Sequence, residues 1–388
     1  MGAEGKAIYL DNASTSWPKA PGVVEAVSSS LRDGGSPGRG IHASALSADR
    51  LVYSARKEIA ALFRFADPAR VIFTSGATES LNLVIRGSLA ASQGALVSCM
   101  EHNAVMRPLR AMQRELAVDV ATFVCDRSGR PDLRSFAEAL GRKPDLLLFT
   151  AASNVSGALF PFEEMARTAA SVSPGTLVGI DAAQAAGERP IDLSSFPFDF
   201  FCVSAHKGLL APPGVGVLFL GPRASPRPLV YGGTGSDSDS EEQPLFLPDR
   251  YESGTRNLPG IAGVLAAVRW IAAEGVGDLA RRRAGAADAL RDGLSGMGGV
   301  VVHGPARTGE RLSLFSVTLE GSVPLDELAR GLDERGVACR MGFQCAPAAH
   351  RTLGTWESGG TIRLSPGPFT TREEIDLALA AFRGVLHP

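Results

Sequence analysis

The sequence predicts an α/β protein: a large domain with a mainly parallel seven-stranded sheet covered by helices, followed by a smaller α+β C-terminal domain. Three observations predict it. Near-continuous apolar runs at 71–73, 95–99, 118–124, 145–150, 176–180, 199–204 and 214–220 suit strands buried on both faces. Helical or loop segments fill most of the gaps, the alternation expected of a sheet wound with crossover helices. After residue 259 the order changes, and strands and helices mix in a shorter pattern.

Taken in order, residues 8–10 are apolar and lead into Asp11-Asn12-Ala13-Ser14-Thr15, a polar turn cluster. Residues 21–32 read as a short helix ended by Gly34-Gly35-Ser36-Pro37-Gly38, and 43–64 show helical spacing. The seven strands follow. Residues 232–249, opening Gly232-Gly233-Thr234-Gly235-Ser236-Asp237, are polar and glycine-rich, and read either as a surface loop or as one that orders over a site or a partner. A long helical region spans about 259–297. Strands near 299–303 and 312–319, a helix at 324–335, strands at 337–340 and 361–364, and a helix at 372–385 complete the chain. The expected domains are 15–258 and 259–388, joined by the segment 1–14, since 388 residues exceed a typical single core.

Composition narrows the function. A formal charge of −2 gives no basic field for nucleic acid and no polybasic surface for lipid. Met1-Gly2-Ala3-Glu4-Gly5-Lys6 lacks an apolar signal core, and no apolar run approaches ~18 residues, so the expected location is cytoplasmic, away from membranes. Five cysteines without a C-x-x-C pair fit neither a disulfide scaffold nor a metal site. Cys99, Cys125 and Cys202 sit in apolar runs, and Cys339 in the strand-like Gly336-Val337-Ala338-Cys339-Arg340.

Chemistry gathers where strands end. Ser204-Ala205-His206-Lys207-Gly208 follows an apolar strand, and a lysine there can form a Schiff base with an aldehyde cofactor. Ser75-Gly76-Ala77-Thr78 follows Val71-Ile72-Phe73 and opens a helix, a place for a phosphate or for a plain N-cap by Thr78. His102 follows the run 95–99, where an imidazole can stack on an aromatic cofactor or relay protons. Asp181 ends the run 176–180 and can pair with a protonated pyridine nitrogen, or cap a helix; Gln184 follows three residues later. Asn154 also follows a strand. Thr78, His102, Asn154, Asp181, Ser204, His206 and Lys207 all follow strands of one sheet, and a pocket for a phosphorylated pyridine aldehyde accounts for them together.

The order Tyr9-Leu10-Asp11-Asn12-Ala13, Ser75-Gly76-Ala77-Thr78-Glu79-Ser80, Glu101-His102-Asn103, Ser153-Asn154-Val155-Ser156-Gly157, Asp181-Ala182-Ala183-Gln184, Ser204-Ala205-His206-Lys207-Gly208 and Glu252-Ser253-Gly254-Thr255-Arg256-Asn257 resembles the class V aminotransferase family. Within it the cysteine desulfurase and selenocysteine lyase branch is most similar. The resemblance implies the type I fold of pyridoxal phosphate enzymes and a homodimer with sites near the subunit interface. It implies Lys207 as the cofactor lysine, Asp181 at the pyridine nitrogen, Gln184 at the phenolic oxygen and His102 stacked on the ring. Ala77, Thr78, Ser204 and His206 would hold the phosphate, with Thr255 of the neighbouring subunit. Arg363 would receive the substrate carboxylate, assisted by Asn154 and Asn12; a guanidinium fork suits a carboxylate on physical grounds as well.

Cys345, in Arg340-Met341-Gly342-Phe343-Gln344-Cys345-Ala346-Pro347, sits in a loop-like segment, where a thiolate can act as nucleophile. In the desulfurases that it resembles, such a cysteine takes the sulfur of L-cysteine as a persulfide, leaves L-alanine, and passes the sulfur to an acceptor protein. Gln344 stands where that family often has histidine, and Ala205 where it has glycine. Selenocysteine lyase, a C–S lyase, an aminotransferase on another amino acid, and a non-catalytic sulfur-acceptor or regulatory subunit are the alternatives.

Overall fold

The computed structural model of the protein describes residues 7–38, 40–320 and 324–386; Met1 to Lys6, read above for a signal core, lie outside them. The strands are β1 (Ile8–Tyr9), β2 (Val71–Thr74), β3 (Gly94–Ser98), β4 (Asp119–Phe123), β5 (Leu146–Thr150), β6 (Leu177–Asp181), β7 (Phe200–Ser204), β8 (Gly216–Leu220), β9 (Val300–His303), β10 (Phe315–Leu319), β11 (Val337–Ala338), β12 (Arg340–Gly342) and β13 (Thr361–Leu364). The seven expected strands form one sheet in the order β2-β8-β7-β6-β5-β3-β4. It is parallel except for β8, which runs against both of its neighbours. Every residue of β5, β7 and β8 is buried, as unalternating apolar runs require. Helices cover both faces, and the strands' side chains divide between two apolar clusters, one on each side.

The C-terminal strands make a four-stranded antiparallel sheet, β12-β13-β10-β9. The expected strand at 337–340 is two short strands with Cys339 between them. β11 leaves this sheet to pair with β1, so the amino-terminal segment packs into the C-terminal core through Ile8 and Leu10. The long helical region is likewise two helices, Leu258–Glu274 and Val276–Ser295, meeting at 82°. Gly275 at φ +83° makes that corner, a backbone conformation other residues adopt only with strain. The first helix packs against Val23–Asp33 and Ala43–Leu62, and the second belongs to the C-terminal core. Among the described residues no single helix is long and apolar enough to cross a membrane.

Candidate active site

Parallel strands deliver their carboxyl ends to one edge, and loops leaving that edge converge. Thr150, Asp181 and Ser204 are the last residues of β5, β6 and β7. Gly216 lies opposite both Ser204 and Thr74, so the turn after β2 opens on the same edge. A cavity of about 340 Å³ there is lined by Ala77, Thr78, His102, Asn154, Asp181, Gln184, Ser204, His206 and Lys207.

The helix Ala77–Ser88 starts at Gly76, and no side chain caps it. Thr78 therefore does not act as the N-cap, and the amides of the first turn face the cavity unspent. No helix begins after Asp181; a turn closed by the Ala186 N–H to the Ala182 carbonyl at 2.9 Å brings Gln184 to the cavity. Its Nε2 donates to the Ala13 carbonyl at 3.0 Å, which fixes the amide and leaves Oε1 for a ligand. The Asp181 carboxyl accepts only the Ala183 N–H, at 2.9 Å, and burial raises its pKa against the pull of Lys207.

Lys207 lies in a turn clamped from two directions. Ser16 donates to the neighbouring His206 carbonyl through N–H and hydroxyl, joined by Thr15 and Lys19. On the other side the buried Arg283 donates to the Gly187 and Gly208 carbonyls at 2.9 and 3.4 Å. Gly187 and Gly208 approach so closely that a Cβ on either would lie 2.3 Å from a carbonyl oxygen of the other segment. Desolvation lowers the Lys207 pKa from 10.5 to about 8, with Asp181 opposing. His102 is lowered to about 4, first by burial and then by Lys207, Arg363 and Arg107, so the ring is neutral. Its Nδ1 accepts the Ala104 N–H at 3.0 Å, which puts the ring proton on Nε2.

Cys345, Arg363, Asn12 and Thr255 do not line this cavity. Arg363, on β13, reaches its rim by donating to the Asn154 carbonyl at 3.0 Å, and its buried Nε has no partner. Cys345 is exposed on a loop in which Gln344 and Cys345 take successive left-handed conformations, at φ +40° and +57°. Such backbone is strained in residues other than glycine and persists only when its surroundings hold it. Here Asn154 donates to the Gln344 carbonyl at 2.6 Å and the Asn103 N–H to the Cys345 carbonyl at 2.7 Å. The loop is thus tied to the residues beside His102 and to those beside Arg363. Asn12 spends its amide on the Tyr9 and Ser365 carbonyls and accepts from the Trp17 N–H. Thr255 lines a second cavity of about 220 Å³ that shares Ser75 and Gly214 with the first.

The family described as Aminotransferase class-V matches residues 8–378. The chain belongs to the class-V aminotransferase family. Among the relatives of this family member is a probable cysteine desulfurase of Methanothermobacter thermautotrophicus, 30% identical over 95% of this chain and 92% of that one. A cysteine desulfurase of Yersinia pestis is 27% identical, covering 97% and 93%. The apo structure of a cysteine desulfurase from Thermococcus onnurineus superposes with a TM-score of 0.90 at 27% identity, covering 97% and 94%. The cysteine desulfurase CsdA of Escherichia coli gives 0.85 at 26% identity, covering 98% and 94%.

This class-V aminotransferase carries features that the sequence reading passed over. Asp11, read only as a turn residue, accepts from Arg363 at 3.2 Å and lies 3.4 Å from Arg340, joining Arg363 to the strand before the Cys345 loop. Gln344 is no surface substitute for histidine. Its Nε2 donates to the Thr361 carbonyl at 3.0 Å, and its Oε1 accepts from Thr361 Oγ1 at 3.2 Å and from His350 Nε2 at 3.0 Å. His350 is fully buried, held neutral at about 4 chiefly by desolvation, and its Nδ1 takes the Thr355 hydroxyl at 2.7 Å. His350, six residues along, was visible as a histidine in an apolar stretch; nothing local announced its partner.

Proposed function

We propose that this chain is a pyridoxal 5'-phosphate-dependent cysteine desulfurase that converts L-cysteine to L-alanine and carries the sulfur as a persulfide on Cys345. The observation that carries this reading is the meeting of a half-buried, low-pKa lysine and a buried carboxylate in one cavity, with a tethered thiol loop at its rim.

The residues present fit the cofactor. The uncapped helix start, with Thr78, Ser204 and His206, suits a phosphate, and His206 Nδ1 is buried without a partner. Asp181 is a buried carboxyl lacking a full counter-charge, which a protonated ring nitrogen supplies. The aldehyde of pyridoxal phosphate, when bound, supplies an electron sink for the pair left by loss of the substrate Cα proton. Lys207 holds the cofactor and afterwards its Nζ takes that proton. His102 presents a neutral ring face. Arg363, oriented by Asp11 and the Asn154 carbonyl, has its unpartnered Nε for the substrate carboxylate. The Cys345 thiolate attacks the substrate sulfur, the C–S bond breaks, and Cβ takes up the electron pair and a proton.

Thr255 would complete the phosphate site of a second copy, since within its own subunit it lines the neighbouring cavity. The exposed Tyr231, Leu245 and Phe246 near it suit burial in a homodimer. An acceptor protein would take the sulfur from the exposed Cys345. Five free cysteines support a reducing compartment such as the cytoplasm.

Incubation of the cofactor-loaded protein with L-cysteine, measuring alanine and sulfide together, tests the reading. Equal yields of the two under a reductant support it; pyruvate in place of alanine would overturn it.

Two further outcomes are expected. With a Lys207 pKa of about 8, about a tenth of the amine is neutral at pH 7, against a negligible fraction for an ordinary lysine. Deprotonation favours the reacting form, so the rate at which apoprotein takes up pyridoxal phosphate should rise through pH 7 and level off above about 8. A rise continuing towards pH 10 would show an unperturbed lysine. Gln344→Ala removes the side-chain hydrogen bonds to Thr361 and His350 that help anchor the Cys345 loop, each worth about 1 kcal/mol. Alanine formation should fall about tenfold, equivalent to about 1.4 kcal/mol, while a cofactor titration stays unchanged.

A further inference from the structure

One buried imidazole braces the loop that carries Cys345. His350 lies in the helix Pro347–Leu353, which begins two residues after Cys345, and its side chain meets both residues that precede the thiol. Its ring stands edge-on to Phe343, with centroids 5.3 Å apart, and its Nε2 lies 3.0 Å from Gln344 Oε1. Its Nδ1 lies 2.7 Å from the Thr355 hydroxyl. We propose that His350 is a positioning residue: its Nε2–H holds Gln344, and through Gln344 the left-handed backbone that presents Cys345.

The hydrogen bonds assign the protons. Gln344 Nε2 donates to the Thr361 carbonyl, so Oε1 is the amide oxygen and can only accept. His350 Nε2 therefore carries the ring hydrogen. Burial keeps the ring neutral, which leaves Nδ1 to accept the Thr355 hydroxyl. The other donor near Gln344 Oε1 is divided. Ser316 spends its hydroxyl hydrogen on the Val155 carbonyl at 2.6 Å, and the single hydroxyl hydrogen of Thr361 faces both Ser316 Oγ at 3.1 Å and Gln344 Oε1 at 3.2 Å. Among the described residues, His350 is the one donor that Gln344 Oε1 does not share.

The contacts close on themselves. Thr355 gives its N–H to the His350 carbonyl at 2.9 Å and accepts the Gly360 N–H at 3.0 Å. Gly360 leads into Thr361, which holds both ends of the Gln344 amide. Gly360, at φ +103°, comes so near the loop that a Cβ on it would lie 2.2 Å from the Gly342 carbonyl oxygen. Thr361, Gln344, His350, Thr355 and Gly360 thus join the entry to Cys345 to the segment 355–361. Two successive left-handed residues relax when what holds them lets go. Without the His350 donor, the ties from Asn154 and Asn103 to the loop carbonyls carry most of that load.

Because this role for His350 rests on the reading of Cys345 as the sulfur-carrying nucleophile, the experiment reads the loop and the reaction separately. Cofactor-loaded wild type, His350→Phe and His350→Gln are compared. Phenylalanine keeps a ring against Phe343 and lacks the donor; glutamine loses the ring and can bring an amide N–H to the place of Nε2. Hydrogen exchange followed by peptide mass spectrometry reports on the Asn103 N–H, bonded to the Cys345 carbonyl, and the Ala346 N–H, bonded to the Phe343 carbonyl at 2.9 Å. In His350→Phe both should exchange about fivefold faster, and kcat for alanine formation should fall about fivefold with KM unchanged. In His350→Gln exchange and kcat should stay within about twofold of wild type. Adding His350→Phe to Gln344→Ala should lower kcat no further. Should His350→Phe fold poorly, Thr355→Val keeps the side-chain shape, frees the ring to take the other tautomer, and should likewise speed exchange at both amides. Wild-type exchange in the variants lacking the donor, a His350→Gln protein as impaired as His350→Phe, or additive losses in the double variant overturns the proposal. Absence of alanine from wild type as well would sink the desulfurase reading instead, while the exchange data still decide the role of His350.

Discussion

Lys207→Ala should abolish turnover of L-cysteine, by at least about 10³-fold, and leave no cofactor that borohydride can fix to the chain. The size follows from the two tasks that converge on one atom. On the proposed function Nζ is both the covalent anchor and the acceptor of the Cα proton, and among the described residues no second amine lines the cavity. Lys19, whose Nζ reaches the His206 carbonyl beside Lys207, is committed to that carbonyl, Thr15 and Ser16. Folding should be preserved, because the turn is held by backbone carbonyls that alanine retains. The check is borohydride reduction followed by peptide mapping, beside an alanine assay. Residual alanine formation within tenfold of wild type would remove Lys207 from the account.

Cys345→Ala should give the opposite pairing: cofactor bound and reducible onto Lys207, yet sulfur release lower by about 10² or more. The side chain is exposed and makes no hydrogen bond that holds the loop; those bonds run through the Gln344 side chain and the Gln344 and Cys345 carbonyls. Alanine preserves them all, so any loss reports on the thiol itself. Sulfide and alanine produced at wild-type rates by the variant would rule out a persulfide on Cys345.

What could be read from the chain and what could not divides along one physical line. Asp181, Ser204 and Lys207 were legible because a buried parallel strand is a conspicuous apolar run and its next polar residue must lie at the sheet edge. The sheet itself was legible for the same reason. The corner at Gly275 was not, since one glycine in a long helical pattern is tolerated more often than it breaks the helix. Asp11 could not be assigned, because its partners Arg340 and Arg363 lie more than 300 residues away, and only the pairing of β1 with β11 and the bridge from Asp11 to Ser365 bring them near. Gln344 looked like the loss of a functional histidine. The fold shows an amide held at both its nitrogen and its oxygen by Thr361 and His350, a role that depends on Thr361 of β13 lying beside the loop.

The grip of Arg283 on the Gly187 and Gly208 carbonyls bears on how the protein comes into being. The guanidinium arrives 75 residues after Gly208, on the far side of the Gly275 corner. During synthesis the strands of the sheet can assemble before that arginine has emerged, with the lysine turn still lacking one of its two restraints. On the proposed function, a ribosome-bound fragment ending before Arg283 therefore presents the sheet with its cofactor-holding lysine turn restrained from one side only.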